Sequence, residues 1–170
     1  MLRVLYLFAG PKRRGDVHDW LALLGTEYRT DVVEVDLVRD DSTHDTSLND
    51  LSLPATQRHW KALAPGFDVI LASPPCTTFS RIRWKPRGPK PLRSAAYLNG
   101  FPWLSDDNAK LVALHNELLS FTFSVLRAVT SDQMAFLEHP EDLGRLRGRG
   151  PGDVPGSIWR SMPLRTCSDP

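Results

Sequence analysis

Asp68-Val69-Ile70-Leu71-Ala72-Ser73-Pro74-Pro75-Cys76-Thr77-Thr78-Phe79-Ser80 runs from a strand pattern straight into a stiff turn that carries a thiol. Val69 to Leu71 is a short apolar run of the kind a buried strand shows. Each proline fixes its own φ, lacks an amide donor and disfavours helix in the residue before it. The pair therefore ends the strand and holds Cys76 at its carboxyl end, where open α/β sheets place their ligands. A solitary cysteine is by default a small buried hydrophobe. Here Pro, Thr, Thr and Ser flank it instead of a continuing apolar run, and a basic segment follows, which points to a working nucleophile.

Outward from this stretch, strand and helix patterns alternate. Leu2 to Phe8 reads as a buried strand ending at Ala9-Gly10-Pro11. Gly15-Asp16 opens a helix with Val17, Trp20, Leu21, Leu23 and Leu24 at near-helical spacing and Gly25 as its stop. Asp31 to Leu37 is a second strand, Arg39 to Asn49 a polar loop, and Pro54 opens a helix reaching Ala64. Phe67 to Ala72 is the third strand. Prolines 86, 89, 91 and 102 exclude a continuous helix from 77 to 104. Ser105 caps a helix through Val129, with Asp106 and Asp107 at its positive end. Gln133 to Glu138 is the fourth strand, and Ser157 to Arg165 allows a short helix.

The alternation predicts an α/β fold with a mainly parallel sheet and helices on both faces. About four to five strands are accounted for, fewer than a complete doubly wound domain carries, so an incomplete sheet is expected. Residues 1–143 form the expected catalytic domain, and 144–170 a Gly/Pro/Arg-rich tail. At 170 residues, 41% hydrophobic and 24% charged, the chain suits one domain with a real core. No apolar run reaches the roughly 20 residues of a membrane span, and the first residues lack a signal-peptide pattern. Cys76 and Cys167 make no disulfide framework, so a reducing compartment, cytoplasmic or nuclear, is expected. The five histidines show no metal-ligand spacing with the cysteines.

Four motifs follow in order: Phe8-Ala9-Gly10, Glu34-Val35-Asp36, Ser73-Pro74-Pro75-Cys76-Thr77-Thr78-Phe79-Ser80, and Phe136-Leu137-Glu138-His139-Pro140. Together they resemble the amino-terminal catalytic half of the DNA cytosine-5 methyltransferases, over residues 3 to about 140. The resemblance implies a Rossmann-like, S-adenosylmethionine-dependent methyltransferase sheet. It further implies methyl transfer to C5 of cytosine in DNA, with Cys76 and Glu138 as catalytic residues. Phe8, Gly10, Glu34, Asp36, Asp50 and Pro74 become candidate cofactor contacts.

The chemistry has its own logic. Cytosine C5 is a poor nucleophile, and a thiolate adding to C6 converts it into an enamine-like carbanion. Positive surroundings make the thiolate accessible near neutral pH, and Arg81 and Arg83 are near in sequence. Attack also drives negative charge into the ring, which an acid at N3 relieves; Glu138 matches the family's glutamate in that role. Glu34 and Asp36 share a strand face, and one is expected to take the cofactor's ribose hydroxyls. The family favours Glu34, strand-end geometry Asp36. Asp50, or else Asp45, is expected at the adenine amino group. One departure is plain: Pro11-Lys12-Arg13-Arg14 stands where the family has an early second glycine. The longer basic turn either crowds the cofactor or forms an anion site.

Between residues 77 and 104 stand Arg81, Arg83, Lys85, Arg87, Lys90 and Arg93 and no acid; Trp84 is interleaved with them, and Tyr97, Phe101 and Trp103 follow. Phosphate-backbone binding requires such a segment, and its aromatics suit stacking on bases. Ser80, Arg81, Arg83, Lys85 and Arg87 are the expected nucleic-acid contacts; the residues do not separate DNA from RNA. The family's later base-reading arginine motif and target-recognition region have no match, with Arg160 or Arg165 as stand-ins for the arginine. A non-catalytic module binding nucleic acid or a nucleotide is therefore the alternative. An amino-group methyltransferase is disfavoured, because its related motif carries an aromatic where Cys76 stands.

Overall fold

A computed structural model of the chain describes residues 1–24, 29–39, 44–146 and 154–160. The fold is α/β, with a four-stranded, all-parallel sheet and flanking helices, a Rossmann-like arrangement. In chain order the elements are β1 (Leu2–Leu7), α1 (Val17–Leu24), β2 (Thr30–Val35), α2 (Pro54–Leu63), β3 (Val69–Ala72), α3 (Asp106–Leu126) and β4 (Met134–Leu137). The strand order β2-β1-β3-β4 reverses direction between β1 and β3.

The chain forms two compact units, Met1–Pro74 with Ser120–Glu138, and Pro75–Leu119 with His139–Pro170. The first holds the sheet. On one face, Leu5, Leu7, Val35, Ile70 and Ala72 are fully shielded from solvent, which supplies the apolar burial that stabilises the strands. On the other face Val4 and Val32 are buried, and it is the edge strand β4 that is open to solvent. Tyr6, Glu34, Leu71 and Phe136 form one register row on this face, and Phe136 and Met134 are 55% and 59% exposed.

Element ends follow local bonds. β2 stops at Val35 and not at Leu37, because Asp36 builds a turn in which its Oδ1 accepts the Val38 N–H at 3.0 Å and its carbonyl accepts that of Arg39. Pro54 starts α2 at a first-turn position, where its missing N–H leaves no donor unmet. The regular part of α3 ends at Leu126; Ala128 and Val129 bond three residues back, which tightens the last turn. In α1, Trp20 and Leu23 are largely exposed although their spacing is that of an apolar stripe. The expected helix at 157–165 is a single 3₁₀ turn, Ile158–Arg160, as far as described; Gly25 and residues 161–165 lie outside the described residues. Among the described residues no helix is long and apolar enough to cross a membrane.

Candidate active site

In the sheet unit one register row aligns Val35, Leu7, Ala72 and Leu137. The next residue of each strand, Asp36, Phe8, Ser73 and Glu138, therefore leaves the sheet at one level. The ladder reaches to this edge: the N–H groups of Phe8, Ser73 and Glu138 donate to the carbonyls of Val35, Leu7 and Ala72 at 2.8, 3.1 and 2.9 Å.

Phe8 has φ 62°, a left-handed conformation that a bulky side chain rarely adopts. Such a strained backbone survives only where its surroundings hold it, and functional turns are where it collects. Gly10 follows at φ 72°, which glycine adopts without penalty. Its N–H donates to Asp36 Oδ2 at 2.9 Å, so the carboxylate after β2 fixes the turn after β1. The intervening basic residues Lys12, Arg13 and Arg14 are exposed. The Arg13 guanidinium passes 3.7 Å from where a Cβ on Gly10 would stand.

The candidate acids thus have different surroundings. Asp36 meets the Gly10 turn, whereas Glu34 is ion-paired with the buried Arg39, which also reaches Asp16 at 3.4 Å. Asp50 accepts from the backbone N–H and hydroxyl of Ser52 at 2.9 and 2.6 Å and shapes the turn before α2. Asp45 caps the 3₁₀ turn Thr46–Leu48, and these hydrogen bonds hold its carboxyl below the usual range. Pro74 is buried behind Ser73. Glu138 and Ser73 line a hollow of about 230 Å³, floored by Tyr6, Leu71 and Phe136 and edged by Val17.

The thiol belongs to the second unit. Cys76 is half-buried, and its carbonyl accepts the Phe79 N–H at 2.9 Å, closing the turn that displays it. Thr78 and Phe79 then plunge into the interior, where Arg93 meets them. The Arg93 guanidinium, only 2% exposed, donates to Thr78 Oγ1, Asn116 Oδ1 and Leu98 O at 2.9, 2.9 and 2.7 Å. It also lies 3.9 Å over the Phe79 ring. Its partners among the described residues are all neutral, and burial lowers its pKa to about 10, with Arg83 adding repulsion. Two histidines share this pocket of charge. His115 Nδ1 bonds Thr78 Oγ1 at 3.2 Å, and His139 meets Phe79 edge-on, centroids 4.8 Å apart. Burial, then the field of Arg93, lowers both imidazoles to about 4, with lesser repulsion from Arg83 at His115 and from His115 at His139; both are neutral at pH 7.

The basic residues divide by fate. Arg93 is an internal anchor. Arg83 is half-buried and clamps main chain, donating to Thr77 O at 2.6 Å and Lys90 O at 2.9 Å. Arg81 pairs with Glu141 at 3.1 Å on the surface. Lys85, Arg87 and Lys90 are exposed. Ser80 caps the 3₁₀ turn Arg81–Trp84 by accepting the Ile82 N–H at 3.4 Å. Charge counting along the sequence misses Arg93, His115 and His139 as a set. A signal existed for one: His115 shares helical spacing with the buried Val112, Leu118, Leu119 and Thr122.

Among the described residues no group of three or more His, Cys, Asp or Glu is arranged to hold a metal ion. No protein-family model, no curated protein and no solved structure matches the chain.

Proposed function

We propose that the chain methylates C5 of cytosine in DNA, using S-adenosylmethionine and a covalent adduct at Cys76. The observation that carries this reading is the register row Val35–Leu7–Ala72–Leu137. Because all four strands are parallel, the Phe8–Gly10 turn, Asp36, Ser73–Pro74 and Glu138 emerge at one edge, beside the point where strand order reverses. Open α/β sheets bind their ligands there.

The donor set at that edge suits the cofactor. Asp36 keeps lone pairs beyond its two N–H bonds for ribose hydroxyls. In this reading it, and not the ion-paired Glu34, is the ribose acid. Phe8, Gly10 and Pro74 shape the cradle, and Asp50 supplies an acceptor for the adenine amino group. The bound cofactor supplies an electrophilic methyl group. The protein's own work is then to prepare the base. The Cys76 thiolate bonds to C6 and pushes electrons to C5. Glu138 gives a proton or hydrogen bond to N3. After transfer solvent water takes up the C5 proton, the Cys76–C6 bond breaks to return the thiolate, and Glu138 recovers the N3 proton, which restores the ring. Lys85 and Arg87, with Arg81 and Ser80 beside the thiol turn, hold the strand by its phosphates.

The test is trapping. A duplex with 5-fluorocytosine should become covalently attached in the presence of S-adenosylmethionine, because fluorine cannot leave as the proton does, and Cys76→Ser should form no adduct. Saturating S-adenosylmethionine should raise the melting temperature of the wild type and not of Asp36→Ala. No adduct and no thermal shift would refute the reading. A second reading, a nucleotide-binding module without catalysis, is favoured by the Arg13 guanidinium beside Gly10 and the Glu34–Arg39 pair. It predicts stabilisation by nucleoside phosphates and none by S-adenosylmethionine.

A further inference from the structure

The second unit contains a cleft of about 580 Å³ lined by Trp84, Lys90, Leu92, Phe101, Trp103 and Asn108, among others. That volume falls within the range of about 300–1,000 Å³ common for small-molecule sites. Its aromatic wall is organised. The Phe101 and Trp103 rings stack at 5.0 Å with 12° between their planes. Tyr97 props Trp103 edge-on at 5.4 Å. Trp103 is nevertheless 68% exposed, so this stack presents a flat ring to solvent. Leu92 is buried at the base. Lys90 and the Asn108 carboxamide add a cation and amide donors and acceptors to the rim. Asp106 and Asp107, between the lining residues Ser105 and Asn108 in sequence, stand on the first turn of α3, where they offset the helix dipole.

We propose that this cleft binds an unpaired nucleobase of a single strand, stacked on Trp103, with the neighbouring phosphate at Lys90. Flat aromatic faces beside a cation are what single-stranded nucleic acid requires, because every base has a π-face and every nucleotide a phosphate. An aliphatic ligand has no use for an ordered ring stack. An anion alone has no use for the apolar floor. The cleft is tied to the thiol turn by Arg83, which donates to the main chain at Thr77 and at Lys90. Cys76 is not part of its lining, so the base it takes is not the one that reacts at the thiol. The inference rests on the nucleic-acid part of the proposed function and not on methyl transfer.

The test uses the full chain and a fluorescently labelled eight-nucleotide deoxycytidine strand, read by anisotropy. Trp103→Ala should weaken binding about 5- to 150-fold, the range for losing one base–aromatic stack, and Trp103→Phe should recover most of it. Trp103 is largely exposed, so both variants should remain folded, and Trp103→Ala should lose no more than its ring contacts to Phe101 and Tyr97. Trp84→Ala is the second variant and should weaken binding in the same direction. Single-strand affinity indifferent to both substitutions overturns the inference, even if duplex trapping at Cys76 succeeds and the proposed function stands. Binding that depends on Trp103 without any response to S-adenosylmethionine supports the cleft while methyl transfer fails. A proline-rich peptide that displaces the strand's place in the cleft, binding through Trp103 where deoxycytidine does not, overturns the inference in favour of a protein partner.

Discussion

Lowering the pH should destabilise this protein through two histidines before its carboxylates contribute. His115 and His139 are buried and neutral in the folded chain, both lowered to about 4 first by burial and then by the Arg93 guanidinium. Once unfolded, each regains a pKa of about 6.5. Between those two values the unfolded state binds more protons, so stability is full above about pH 6.5 and falls as pH drops towards 4. From pH 7 to 5 the loss is about 2 kcal/mol for each histidine, or about 4 kcal/mol together. That is a large share of the roughly 5–15 kcal/mol by which domains are stable. Urea unfolding followed by circular dichroism at pH 7, 6, 5.5 and 5 measures it, in a window where acids contribute little. His139→Phe keeps an aromatic ring edge-on to Phe79 and removes two buried ring nitrogens that have no hydrogen-bond partner among the described residues. In that variant the pH slope should fall by about half, since only His115 then takes up a proton. Wild-type stability that stays level from pH 7 to 5, or a variant that keeps the full slope, refutes the buried neutral pair.

Arg93→Met should cost about 2–4 kcal/mol in urea titrations, because Asn116 Oδ1 and Leu98 O lose their donor inside the protein. Arg93→Lys should not restore the loss, since a single ammonium cannot span three acceptors as the planar fork does; full restoration would contradict the geometry. Gly88→Ala should lower stability by more than about 2 kcal/mol, as its Cβ would stand 1.8 Å from the Ile82 carbonyl oxygen; wild-type stability in this variant refutes the described path of the 82–88 turn. Replacing Lys85 and Arg87 by Ala should make the log–log salt dependence of duplex affinity shallower by about 1.8. Arg83→Ala should chiefly destabilise the thiol turn that it clamps, and an unchanged melting temperature in that variant would count against the clamp.

The amino-acid sequence determined the strands, the starts of the helices and the stiff thiol turn, because those depend on neighbours within a few residues. Val69–Ala72 is a strand for its apolar run, Pro54 starts a helix for its fixed φ, and Pro74-Pro75 ends a strand for its missing donors. Only the tertiary structure decided the order β2-β1-β3-β4 and the register that brings Asp36, Phe8, Ser73 and Glu138 to one level. It also separated residues that look equivalent in sequence. Lys90 and Arg93 stand three apart in one basic segment, yet Lys90 faces solvent and Arg93 is internal, held by Asn116 and Thr78. Glu34 and Asp36 share a face by strand alternation, yet the turn at Asp36 breaks that alternation. Arg39 then takes Glu34 while Gly10 takes Asp36. In each pair the charge is the same, and the partner that fixes its role comes from another part of the chain. Local periodicity carries no record of such partners, so burial and charge pairing emerge only when the chain folds back on itself.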